Sequence, residues 1–145
     1  MCPSEYDNSN SIEASYVYNY NYKEGGLLHN DKPYYLFVNN FYCCRDLDST
    51  YIIKVGRSAS PAGPFLDRDG KDMAQGGGTV LIDSYKGGDK FVGPGHAGIL
   101  YDEATKSHVL TFDYQGVKTD SVNEEYLPQA RVLTWDDDGW PEVTI

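Results

Sequence analysis

Residues 93–114 read GPGHAGILYDEATKSHVLTFDY. Gly93 to Gly98 satisfy G-x-G-x-x-G, and the two readings of those six residues lead to different folds. As a dinucleotide fingerprint they need a strand before the glycines, a helix opening on them, and an acidic residue about 20 positions further on. No helix signal follows. The apolar patches Gly98 to Tyr101 and Val109 to Phe112 flank a polar turn, Asp102 to Ser107, which is the pattern of a hairpin. The nucleotide cofactor is set aside on that missing context. What remains is a rigid Pro94-Gly95 turn that presents His96 just before a strand.

Outward from there the strand signal repeats. Lys32 to Tyr42 (KPYYLFVNNFY) and Ser49 to Ser58 (STYIIKVGRS) are dense in aromatic and β-branched residues and lie either side of a polar turn, CCRDLD, as in one antiparallel hairpin. Further strands are expected at Ala14 to Tyr22, Gly78 to Ile82, Lys90 to Val92, Gly98 to Tyr101, His108 to Tyr114, Arg131 to Trp135 and Glu142 to Ile145. Between them stand turn residues, among them Asp69-Gly70, Gly87-Gly88 and Asp138-Gly139. Short strands punctuated in this way indicate an all-β sandwich, barrel or propeller. A propeller blade takes about 40 to 50 residues, so the chain has the length of roughly three. Length alone does not choose among these architectures.

The 145 residues make one domain's worth of chain, and 40% hydrophobic content argues for a folded one. A formal net charge of -10, from 22 acidic against 12 basic residues, repels nucleic acid and anionic membrane surfaces and suits a neutral ligand or a cation. No apolar run approaches the roughly 18 residues of a membrane span, and MCPSEYDNSNS does not read as a signal peptide. Cys2 and the adjacent Cys43 and Cys44 make no even disulfide framework. They read as small buried thiols and leave the redox compartment open.

Most other motifs dissolve on inspection. DRDGKD, Asp67 to Asp72, hints at a calcium loop, but counting from Asp67 the glycine falls fourth and the twelfth residue is Gly78, not Glu. No Gly-Lys-Ser/Thr follows a glycine run, and no G-x-S-x-G is present. Two residues survive. Glu13 in SIEASY stands between Ile12 and Ala14 at a strand start, where apolar surroundings would raise a carboxyl pKa and make it a proton donor; equally, it is a solvated strand-end acid. His96 is a ligand or a hydrogen-bonded structural residue. Neither residue decides the matter by itself.

In order along the chain, IEASYVY, YYLFVNNFYCCRDLDSTYIIKVGRS, GPFLDRDGKDM, GGGTVLI, FVGPGHAG and WDDDGWPEV resemble the C-terminal part of the family 43 glycoside hydrolases, specifically the endo-1,5-α-L-arabinanases. The resemblance implies a five-bladed β-propeller of which this chain supplies roughly the last three blades. Residues 1–11 would then be a disordered or partial N-terminal segment and residues 12–145 a partial propeller domain. It places the general acid at Glu13 and puts His96 at an ion site on the propeller axis, commonly taken as calcium. Imidazole is an unusual partner for a hard cation, so water would fill most of that shell with His96 a weak ligand. Arabinan or its oligosaccharides are the implied substrate, and export from the cell the implied location.

An inverting glycosidase needs a second carboxylate to activate water on the far side of the sugar. In the family the general base and a further Asp that tunes the acid both precede the I-E-A segment. Glu5 and Asp7 match neither motif, so both partners are expected to be missing from this chain. Two smaller departures stand out: Ser15 where the family usually has Pro, and Asp46 where it usually has Gly. The second implies a left-handed backbone position, which Asp tolerates better than most residues. Alternation in SYVYNYNY puts Tyr16, Tyr18, Tyr20 and Tyr22 on one face, to pack between blades rather than against sugar. The alternative reading is a non-catalytic carbohydrate- or partner-binding β module, self-associating through unpaired blade faces.

Overall fold

The computed structural model describes residues 11–20, 31–43, 45–84, 91–118 and 121–145. Eight strands run in chain order: β1 Ile12–Asn19, β2 Tyr34–Asn40, β3 Ile52–Ser58, β4 Thr79–Ile82, β5 Phe91–Asp102, β6 Ser107–Lys118, β7 Ser121–Trp135 and β8 Pro141–Val143. They form two four-stranded sheets, β1-β2-β3-β4 and β5-β6-β7-β8, each a meander of antiparallel neighbours. The described residues therefore make two blade-like sheets, where chain length gave about three. The difference lies mainly in the first sheet, whose four strands are spread over residues 12–82, more chain than the roughly 40 to 50 residues that one blade takes.

The hairpin expected from Lys32 to Ser58 is present, with Tyr34 opposite Ser58 and Asn40 opposite Ile52. Two other expectations are corrected. The strands expected at Lys90 to Val92, of which Lys90 lies outside the described residues, and at Gly98 to Tyr101 are not separate: from Phe91 on, the glycine-rich segment stays in the β5–β6 ladder by slipping register twice, between Val92 and Gly95 and between Gly95 and Gly98. In the same way β7 begins well before Arg131. Pro128 stands inside it, and β8 pairs only with Leu133 to Trp135, so at Pro128 that side of β7 has no ladder bond to lose.

The core lies between the sheets. Tyr18 and Tyr20 fall on the face predicted by alternation and join Tyr35, Phe37, Ile53 and Val55 of the first sheet with Phe91, Leu110, Phe112 and Leu133 of the second; Tyr16 packs against the cluster. Tyr22 lies outside the described residues. Each fully buried side chain such as Phe37 or Leu110 contributes on the order of 1.5–3 kcal/mol. Tyr20 stacks on Trp135 at 4.2 Å between ring centroids, and Tyr16 donates a hydrogen bond to the Ile99 carbonyl at 3.1 Å, so the seam has direction as well as area.

Two aspartates close turns. Asp67 accepts the N–H groups of Asp69, Lys71 and Gly78, and Asp136 accepts those of Asp138 and Trp140. Both Asp67 oxygens are committed to backbone N–H groups, which settles DRDGKD as a turn. Arg68 pairs with Asp136, and Arg57 lies over the Trp140 ring at 4.6 Å, fixing the β7–β8 turn to the first sheet. Asp46 has φ 50°, the left-handed position that the departure from Gly implied.

Candidate active site at the sheet seam

Glu13 is the second residue of β1 and pairs with Asn39, whereas Tyr16 pairs with Phe37. β1 thus advances three residues while β2 advances two. Ala14 absorbs the extra residue with φ 50°. The bulge matters because simple alternation would put Glu13 with Ser15 and Val17, facing away from Tyr16 and Tyr18. Instead Glu13 shares a face with Asn39 and Phe37, the face that looks toward the second sheet.

Its carboxylate is held there by Tyr51, whose hydroxyl donates to Glu13 Oε1 at 2.7 Å. Tyr51 is 6% exposed. Burial, then the hydrogen bond to Glu13 and the charge of that carboxylate, push the Tyr51 phenol far above its ordinary range, so the hydroxyl remains a donor across physiological pH. The apolar setting expected around Glu13 is not made by the described residues: Glu13 is exposed, and Ile12 beside it is 48% exposed. A phenol donor takes its place.

His96 lies within β5, not ahead of a strand, at a left-handed φ of 56° inside the second register slip, between Gly95 and Gly98. Its N–H donates to Asn39 Oδ1 at 2.9 Å, and Asn39 Nδ2 donates to the Pro94 carbonyl at 3.1 Å. Asn39 is fully buried, so one side chain supplies both partners to the turn. Gly95 is required by contact: a Cβ there would stand 2.7 Å from Tyr51 Cε1 and 2.9 Å from Asn39 Nδ2. The turn that carries His96 and the residue that anchors Glu13 are therefore packed against each other. Sequence reasoning named Glu13 and His96; it passed over Asn39 and Tyr51. The signal for Asn39 was a pair of amides, Asn39-Asn40, ending an otherwise apolar strand.

The His96 imidazole projects into solvent, with Nδ1 3.9 Å from Asp113 Oδ2. Among the described residues no three His, Cys, Asp or Glu side chains gather in one place. One imidazole and one carboxylate fall short of the six to eight oxygens that calcium takes. These residues alone do not build a calcium cage. Glu5 and Asp7 lie outside the described residues, as do Cys2 and Cys44. No described helix is long and apolar enough to cross a membrane.

Residues 4–141 match the family model described as glycosyl hydrolases family 43. The chain is 40% identical over 119 residues to the extracellular exo-α-(1→5)-L-arabinofuranosidase ArbA of Cellvibrio japonicus, covering 81% of this chain and 31% of that protein. It is 37% identical over 115 residues to the extracellular endo-α-(1→5)-L-arabinanase 1 of Bacillus subtilis, covering 79% and 32%. Among solved structures it is similar to the Cellvibrio cellulosa α-L-arabinanase complexed with arabinohexaose, with a TM-score of 0.72 and 35% identity over 94% of this chain and 38% of that one. The chain spans about a third of the length of the relatives it matches.

Proposed function

The chain belongs to glycosyl hydrolases family 43, and from that premise we propose that it forms part of an exported arabinan hydrolase with a five-bladed propeller, acting by inversion with Glu13 as general acid. The observation that carries this reading is the placement of Glu13. A bulge turns an exposed carboxyl onto the seam between two sheets, and a phenol fixes one of its oxygens.

In the reaction the glycosidic C–O bond breaks through an oxocarbenium-like transition state. Its electron pair goes to the leaving oxygen, which takes the proton from Glu13. Water adds to the anomeric carbon from the opposite face and gives its proton to a second carboxylate, roughly 6.5–9.5 Å from the first. We assign that second carboxylate to a part of the propeller other than residues 11–145. An axial ion would have His96 and Asp113 nearby and would draw most of its shell from water; when bound it would add positive charge near the substrate.

Release of oligosaccharides from linear 1,5-α-arabinan tests the assignment. Glu13→Gln should lower turnover by about two to four orders of magnitude without unfolding the protein. An active Glu13→Gln protein removes Glu13 from the role.

A further inference from the structure

Tyr51 does more than fill space beneath Glu13. It precedes β3, is buried, and meets both halves of the site: its ring lies over Gly95, in the turn that carries His96, and its hydroxyl ends on Glu13 Oε1. A carboxyl acting as an acid must carry its proton on the oxygen that faces the leaving group. With Oε1 already accepting from a phenol that cannot ionise at working pH, the proton is confined to the other oxygen. Ala14 and the bulge set where the side chain leaves the strand, but they do not fix its carboxyl plane. Only the phenol does that among the described contacts of Glu13.

We propose that Tyr51 is the positioning residue of the acid, orienting the Glu13 carboxyl so that one oxygen is anchored and the other is free to donate. This rests on the acid role of Glu13 given above. It also makes the acid and the His96 turn mechanically dependent on one side chain, since a shift of Gly95 would move the ring that bears the anchoring hydroxyl.

Tyr51→Phe keeps the ring, its burial and its contact with Gly95, and removes the donor alone. Two readouts are needed. In protein carrying 13C-carboxyl glutamate at neutral pH, the Glu13 resonance, identified by its loss in Glu13→Gln, should move in Tyr51→Phe. A resonance that stays in place overturns the proposal whether or not the chain turns over substrate. On linear arabinan, kcat of Tyr51→Phe should fall about ten- to a hundredfold with KM unchanged. A rise in KM alone, or full kcat, overturns the positioning role even where Glu13→Gln is inactive. If Glu13→Gln still hydrolyses arabinan, the acid assignment itself has failed, and that result is distinct from either of the others. In a chain without turnover the resonance alone decides.

Discussion

Asn39 holds His96 from across the sheet seam: its Oδ1 accepts the His96 N–H at 2.9 Å while its Nδ2 donates to the carbonyl of Pro94, two residues earlier. The same asparagine pairs with Glu13 in the β1–β2 ladder. One buried amide therefore sits between the two residues of the site and fixes the turn bearing one of them.

Asn39→Ala leaves a backbone donor and a backbone acceptor without their partner in a buried setting. We expect a loss of about 2–4 kcal/mol, read as a lower urea midpoint at unchanged slope. Asn39→Asp keeps the acceptor for His96 but turns a second oxygen toward the Pro94 carbonyl, and should be at least as damaging. Equal stability of Asn39→Ala and the parent would mean that the amide does not carry the turn.

Gly95→Ala inserts a methyl 2.7 Å from Tyr51 Cε1 and 2.9 Å from Asn39 Nδ2. Both neighbours are buried, so neither can give way cheaply. The expected cost is about 1–3 kcal/mol. Because Tyr51 must shift, the Glu13 carboxyl resonance should move in this variant too. Destabilisation without that movement would separate the turn from the acid.

Acid should weaken the fold through its turns. Burial pushes the Asp67 carboxyl up, but the N–H groups of Gly78, Lys71 and Asp69 and the charge of Lys71 outweigh it and hold the group below the ordinary carboxylate range. Burial likewise raises Asp136, against the Trp140 N–H, the Arg68 guanidinium and the Asp138 N–H, which hold it low. A folded pKa depressed below the unfolded value, near 3.8, gives stability that is present above that value and lost as pH falls through the folded one. Unfolding free energy should therefore decline from about pH 4 downward, and Asp67→Asn should flatten the decline. An unchanged slope in Asp67→Asn would count against the assignment.

The outer face of the second sheet carries a row of apolar residues in register, Leu100 opposite Val109 and Val109 opposite Val132. Leu100 is 63% exposed and Val132 59%. If this face seeks another sheet, the isolated chain should associate with rising concentration in sedimentation velocity, and Leu100→Lys with Val132→Lys should reduce it. A parent that stays monomeric at high concentration would show that the row is tolerated in water.

The strands were legible because β-branched and aromatic runs alternate with turn residues, and the tyrosine row found its face because Tyr16, Tyr18 and Tyr20 keep a strict period of two. The site was legible only in part. Glu13 is out of phase with that row, and nothing in IEAS announces the extra residue that brings it round. Tyr51 follows a turn of local hydrogen bonds, and its link to Glu13 spans 38 positions. Such a contact belongs to the fold rather than to any local pattern. GPGHAG was read as a rigid turn presenting His96, but what packs on Gly95, Tyr51 and Asn39, comes from the other sheet and leaves no mark in the local sequence.

The most direct test of the account compares Glu13→Gln with the parent on two substrates that differ in leaving group, linear 1,5-α-arabinan and an aryl α-L-arabinofuranoside whose phenol leaves without protonation. A general acid at Glu13 predicts a large loss on arabinan, about two to four orders of magnitude, and a far smaller loss on the aryl substrate. Equal losses on both, or none on arabinan, would contradict it.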